Sequence, residues 1–315
     1  MSTTELRTFI INTAYNLGFC HVGITSAIQD PIKTYQLNEW INKKYHASMH
    51  WMETRSIERG NIHNYFPEAK SIISLSMNYF TGNASKEVQT GKISNYAWGD
   101  DYHTFIKPRL YKLLQSIQSI EPKINGIVCT DTSPVMEKAW AQKAGLGWIG
   151  KHTNLITRDY GSWIFLGEII IDKKLDYDIA FAEDLCGSCT ACLDACPTNA
   201  FPEPYILDSS KCISYLTIEN KKPFSIEIGE SLSGWIYGCD ICQEVCPWNI
   251  KFSQISNEKS FQARKGILDK DIDSWGEITK DEFTKLFKNS AIKRTKFSGL
   301  KRNIDAVKQA NKTNN

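Results

Sequence analysis

CGSCTACLDACP, residues 186–197, sets four cysteines and a proline in twelve positions. Eight of the ten cysteines in the chain lie between Cys186 and Cys246, while Cys20 and Cys129 stand alone in apolar surroundings, where a buried structural thiol is the ordinary reading. The N-terminal MSTTELRTFI has no basic region ahead of an apolar run, and the most apolar segment, WIFLGEIII, is interrupted by Glu168. These features predict a cytoplasmic protein that does not enter a membrane. Cytosolic reductants keep ordinary thiols reduced, so a dense thiol cluster there is read as a metal site before a disulfide framework.

The spacing narrows the metal. Cys186, Cys189, Cys192, Cys196 and Pro197 form C-x2-C-x2-C-x3-C-P, the run by which bacterial-type ferredoxins hold 4Fe-4S clusters. Cys239, Cys242, Cys246 and Pro247 repeat the second half of the pattern, and Cys212 upstream supplies a fourth thiol. In two-cluster ferredoxins the fourth cysteine of each run serves the other cluster, because the chain turns away at the proline. The expected sets are therefore Cys186, Cys189, Cys192 and Cys246 for one cluster, and Cys196, Cys212, Cys239 and Cys242 for the other. The alternative is a pair of zinc tetrathiolates, which also use C-x2-C units. Clusters of this kind move single electrons over a wide range of potentials, which leaves the acceptor to be found in the rest of the chain.

At 315 residues, with 42% hydrophobic and 23% charged residues, the chain is long enough for two globular cores. A formal net charge of +2 excludes a surface that is basic throughout, so any nucleic acid must be met by a local patch. TTELRTFIINTAYNLG predicts a helix with threonine caps that ends at Gly18, followed by a strand near HVGI and a helix after Pro31. SIISLSMNYF (71–80), GIVCTD (126–131) and GSWIFLGEIII (161–171) read as strands, the second of them internal to the sheet and delivering Asp131 at its end. Thr132 or Ser133 is expected to cap the helix VMEKAWAQKA, with Pro134 in its first turn and Gly145 closing it.

Three features of this first part carry chemistry. GLGWIG (145–150) satisfies G-x-G-x-x-G, yet it follows a helix and leads to a strand, the reverse of a dinucleotide fold. Its glycines mark either a helix cap and tight turn or a backbone pressed against a large ligand. DYHTFI (101–106) approaches the D-x-H-x-x-G box that supplies a histidine to cobalt, but Ile106 replaces the glycine and the box fails. Asp131 is either a helix-entry cap or, with Thr132 and Ser133 free to cap, a partly desolvated carboxylic acid of raised pKa that donates a proton.

ISNYAWGDDYH (93–103), DTSPVMEKAWAQKAGLGWIGKHTNLI (131–156), the double cysteine run, CISYLTIE (212–219) and GWIYGCDICQEVCPWN (234–249) together resemble the epoxyqueuosine reductases, over nearly the whole chain. The resemblance implies an α/β (α+β) cobalamin-binding domain over 1–175 with an inserted bacterial-type two-cluster ferredoxin domain over 176–260. A short, basic helical C-terminal segment over 261–315 completes the expected fold. It implies an oxidoreductase that reduces epoxyqueuosine to queuosine at the tRNA wobble position, the last step of queuosine synthesis, with electrons passing through two 4Fe-4S clusters to cobalamin. Asp131 matches the proton donor of that family. Arg55 or Arg59, Ser94, Asp131, Asn154, Leu155, Ser214, Gly238, Cys239 and Asp240 match segments that enclose the corrin, where small residues and backbone groups admit a bulky macrocycle.

A tRNA substrate requires a basic surface. From Lys285 to Asn315 there are nine lysines and arginines against one acidic residue, Asp305. Lys293, Arg294, Lys296, Lys301 and Arg302 are the expected phosphate contacts, on a segment docked by Ile292, Phe297 and Leu300. Tryptophans and tyrosines near the pocket are expected to stack the base. The resemblance also implies that longer members continue into a helical-repeat domain. A monomer served by an electron donor of unspecified identity is expected. The competing readings are a cobalamin-dependent reductive dehalogenase acting on a small organohalide, and a non-catalytic ferredoxin-type electron carrier.

Overall fold

In an extended chain successive side chains face opposite sides. In Ser71–Asn78 this turns Ile73, Leu75 and Met77 toward one core, and Ile72 toward another. The computed structural model, which describes residues 1–82 and 91–313, places this strand at the centre of a four-stranded sheet. The strands are β1 (His21–Ser26), β2 (Ser71–Asn78), β3 (Gly126–Cys129) and β4 (Ile164–Ile171), in the order β1-β2-β4-β3. Every pair is antiparallel, so of the two expected classes the fold is α+β. The strand that leads to Asp131 lies at the edge of the sheet, which corrects the expectation of an internal one.

Both faces of the sheet are covered. Helices α1 (Thr3–Asn16) and α2 (Tyr102–Ile120) pack Leu6, Ile10, Ile106, Leu110 and Ile117 against Ile73, Leu75 and Ile169. On the other face α3 (Glu137–Lys143) sets Trp140 against Ile72, Cys129 and Ile170. The first helix is capped by Ser2 in a capping box with Glu5, not by the threonines, because Ser2 holds the extended backbone from which a side chain can reach the Glu5 N–H. α3 starts at Glu137 after Met136 with no side-chain cap. Thr132, Ser133 and Pro134 therefore lie in an irregular turn and do not cap it.

A second core joins Ile93, Ala97 and Trp98 to Trp235–Tyr237 and to the C-terminal helices. Lys92–Ile93 pairs in parallel with the Trp235–Tyr237 strand. The last helix, α4 (Lys296–Thr313), buries Leu300, Ile304 and Val307 at helical spacing, and Ile292 is fully buried ahead of it. Within this core Asn303 is inaccessible, and its Nδ2 donates to the carbonyls of Thr217 (2.7 Å) and Ile236 (2.8 Å). The basic segment is thus docked through its apolar residues as its sequence requires. Among the described residues no helix is long and apolar enough to cross a membrane.

Candidate active site

Two short helices, Ala191–Asp194 and Ile241–Glu244, each start inside a cysteine run and bring the runs together. Burial, helped by the nearby Cys186, Cys246 and Cys189, pushes the Cys192 thiol up to about 11. Burial also raises Cys242, with Cys212, Cys192 and Cys196 among its charged neighbours, and raises Cys239, beside Cys242 and Cys212. Four thiols that repel one another as thiolates are a site that a cationic centre neutralises. Cys186, Cys189, Cys192 and Cys246 line one cavity of about 180 Å³ with Lys151, His152 and Trp248.

Asp131 follows the edge strand with φ +51°, a conformation that aspartate tolerates better than most residues and that turns the chain sharply after β3. Its Oδ2 lies 2.9 Å from His103 Nε2, and His103 Nδ1 lies 2.7 Å from Asp101 Oδ1. Burial works against a charged His103 ring, but hydrogen bonds to Asp101 and Asp131 lift it to about 9. Burial likewise works to raise the Asp131 carboxyl, but the hydrogen bond and charge of His103 pull it below the ordinary aspartate value. The expected raised pKa of Asp131 is therefore corrected: a paired imidazolium outweighs desolvation. Half of the Asp131 side chain is open to solvent (52%), although surrounding protein also desolvates it.

Raised carboxyl groups do occur nearby. Glu137 Oε1 accepts the Asp131 backbone N–H at 2.6 Å, and burial raises its pKa. Glu168, at the middle of β4 and inaccessible, is raised further by burial and by Glu137, with Ser74 Oγ donating to it at 3.3 Å. Burial and the neighbouring carboxyl thus favour the protonated form at the interruption in the apolar strand. Lys138 donates to Thr153 O (3.0 Å) and Asn154 Oδ1 (3.1 Å), and both Asp131 and Cys242 act on its charge. It stands between the acid and the second cysteine set.

The other expected contacts divide. Arg59 is buried, donates to Trp51 O at 3.0 Å and feels Asp131 and Glu137, whereas Arg55 pairs with Glu58 at 2.6 Å on the surface. Ser94 Oγ donates to buried Asp240, whose other oxygen accepts the Asn95 N–H at 2.7 Å; burial still raises Asp240 to about 7. Gly238, at φ +66°, closes this bracket, since a Cβ there lies 2.5 Å from Ser94 Cβ. Leu155 is buried in a short strand, Ser214 is half-buried in the Ile213–Ile218 helix, and Cys239 belongs to the second thiol set. The glycines of GLGWIG press on the protein itself: a Cβ at Gly147 would lie 2.0 Å from Ile156 O.

In the basic segment Lys293, Arg294 and Lys296 are exposed. Arg294 pairs with Glu219, stands 5.5 Å from the Trp51 ring and feels the charge of Asp131. Lys301 donates to Gly276 O at 2.6 Å, and Arg302 turns inward to the carbonyls of Asn220 (2.6 Å), Lys222 (3.0 Å) and Leu216 (3.0 Å). His103, Glu137 and Tyr102, which hydrogen-bonds to the Asp131 carboxylate, were not among the expected site residues. The Asp101-x-His103 pair was visible as a failed cobalt box, and both ring nitrogens prove to be engaged by carboxylates. Nothing in the spacing of Glu137 marks it.

The paired cysteine runs, set beside an antiparallel sheet covered by helices, define the class: an oxidoreductase that carries a double iron-sulfur cluster domain. Residues 185–249 match the family described as "4Fe-4S double cluster binding domain", and residues 59–132 match "Epoxyqueuosine reductase QueG, DUF1730". The epoxyqueuosine reductase of Cellulophaga algicola is 43% identical over 309 residues, 98% of this chain and 100% of that protein. The crystal structure of an epoxyqueuosine reductase with an epoxyqueuosine-modified tRNA-Tyr stem loop superposes with a TM-score of 0.88 at 27% identity, covering 97% of this chain and 81% of that one. A structure of the Bacillus subtilis enzyme, with its aspartate-bearing catalytic loop swung out of the active site, gives 0.87 at 27%, over 97% and 82% of the two chains. The chain belongs to the epoxyqueuosine reductase family.

Proposed function

We propose that this protein reduces epoxyqueuosine in the anticodon of a tRNA to queuosine, using two 4Fe-4S clusters and cobalamin. The overall change is epoxide plus two electrons and two protons to alkene plus water. When bound, the clusters supply single electrons and the corrin a strongly reducing cobalt. Cys186, Cys189, Cys192 and Cys246 hold one cluster, and Cys196, Cys212, Cys239 and Cys242 hold the other. The single observation that carries this reading is the gathering of the two cysteine runs into two thiol sets, within residues that match a 4Fe-4S double cluster binding domain, in a chain of this family.

The protein's own part lies around Asp131. Half-open Asp131 and buried Lys138 lie beside the second thiol set, where the corrin would sit, and no histidine nitrogen of the DYHTFI segment is left to ligate its metal. Lys138 with Asn154, Arg59 and the Ser94–Asp240 bracket would hold the backbone around that group. Asp131 and His103 share a proton at the Nε2–Oδ2 contact, and Asp131 passes it to the departing epoxide oxygen; Asp101 keeps the ring charged until then. Arg294, Lys293 and Lys296 face the tRNA backbone. The chemistry of the substrate in the related complex, an epoxyqueuosine-modified stem loop, supports this assignment.

Anaerobically prepared protein, loaded with iron, sulfide and cobalamin, is tested on an epoxyqueuosine stem loop under a strong reductant. Formation of queuosine, with loss of turnover in Asp131→Ala, is expected. Zinc in place of iron, or no queuosine formed by the loaded protein, overturns the proposal; turnover equal to wild type in Asp131→Ala removes Asp131 as the proton donor.

A further inference from the structure

Residues 151–154 form a tight turn, with Gly150 N donating to Asn154 O (2.9 Å), Thr153 N donating to Gly150 O (2.8 Å) and Thr153 at φ +66°. The turn is anchored to the first thiol set, since Lys151 Nζ donates to the carbonyls of Gly187 (2.6 Å) and Cys189 (3.0 Å). Its next residue, His152, is 3% exposed and lines the same cavity as Cys186, Cys189, Cys192 and Cys246, the one histidine to do so.

The protonation of that ring follows from its contacts. His152 Nδ1 accepts the Asn154 backbone N–H at 3.2 Å, and a backbone nitrogen can only donate. The ring proton therefore sits on Nε2. That N–H is buried and has no partner among the described residues. Buried donors are almost always satisfied, so an orphan in a thiol-lined cavity points to an acceptor that belongs to the site.

We infer that His152 Nε2–H donates a hydrogen bond to a sulfur of the cluster held by Cys186, Cys189, Cys192 and Cys246, and so holds the reduction potential of that cluster above its value without the bond. The inference rests on the proposed cluster assignment. A donor aimed at sulfur withdraws negative charge and stabilises the reduced state more than the oxidised one, which is how hydrogen bonds to sulfur set cluster potentials. His152 is a positioning residue here: it touches neither the substrate nor the epoxide.

The test uses the full-length, cluster-loaded protein labelled with ¹⁵N-histidine. Iron and sulfide are measured first, because absent clusters overturn the cluster assignment itself. With clusters present, pulsed EPR of the reduced protein should show a ¹⁵N coupling that is lost in His152→Phe. Potentiometry of His152→Phe should lower one midpoint by about a tenfold change in the equilibrium, about 59 mV for one electron. The other midpoint should stay in place, and His152→Gln, which keeps an N–H donor, should recover most of the shift. No ¹⁵N coupling in the wild type, or unchanged potentials in a fully loaded His152→Phe, overturns the inference. If His152→Phe does not retain its cluster, the wild-type coupling alone decides.

Discussion

His103 Nε2 meets Asp131 Oδ2 at 2.9 Å, linking the first turn of the 102–120 helix to the loop after the sheet's edge strand. The contact holds Asp131 as a carboxylate and His103 as an imidazolium, so one proton belongs to the pair.

Removing either partner therefore has different consequences. Asp131→Asn should lower single-turnover reduction by about 10²–10⁴-fold, the usual worth of a positioned general acid. His103→Gln should lower it less and move the pH profile upward, because Asp131 loses the charge that depresses its pKa. Rates of the loaded enzyme measured from pH 5 to 9 check both. An unmoved profile in His103→Gln would remove the pair from the mechanism.

The same pair makes stability depend on pH. His103 is lifted from its ordinary value of 6.5 to about 9 in the folded protein, so its contribution is complete below about 6.5 and disappears as pH rises through 9. Thermal unfolding should show wild type losing its advantage over His103→Asn across that window. Parallel Tm curves from pH 6 to 10 would contradict it.

The crossed ligand sets predict which signal each substitution removes. Cys246→Ser should perturb the cluster of the first run although Cys246 lies in the second, and Cys196→Ser should perturb the cluster of the second run. Each should reduce iron from about eight toward about four per chain if that cluster is lost. Iron analysis with EPR reads this; Cys246→Ser removing the same signal as Cys239→Ser, and not the one removed by Cys186→Ser, would refute the crossing.

Within the basic segment the charges are not equivalent. Lys293→Gln and Lys296→Gln should weaken stem-loop binding and reduce the salt dependence by about 0.7–0.9 per phosphate contact. Arg302→Ala should instead lower Tm, because its guanidinium serves the carbonyls of Asn220, Lys222 and Leu216, bonds to a charged group being worth about 1.5–3 kcal/mol each. Binding titrations at several salt concentrations, paired with thermal melts, separate the two roles. A normal melt with weakened binding in Arg302→Ala would return that residue to the tRNA surface.

Much of this was legible before any coordinates. The alternation in Ser71–Asn78 and the apolar run of Ile164–Ile171 specify strands because side-chain period alone decides which faces are apolar. Ile292 and Leu300 likewise announce a docked C-terminal segment, and both are fully buried. Capping was less legible. Ser2 displaced the threonines, and Thr132 and Ser133 cap nothing, because a cap depends on the backbone angle at one residue and several neighbours of similar chemistry compete for it.

Sequence by itself determined the thiol sets and the elements of the sheet, since ligand spacing and side-chain period are properties of neighbours along the chain. Only tertiary structure decided the charge on Asp131, the inward turn of Arg302 and the orphaned N–H of His152. Each depends on residues far apart in sequence that folding brings within hydrogen-bonding reach, or on the burial that leaves a polar atom without water, and no local pattern encodes either.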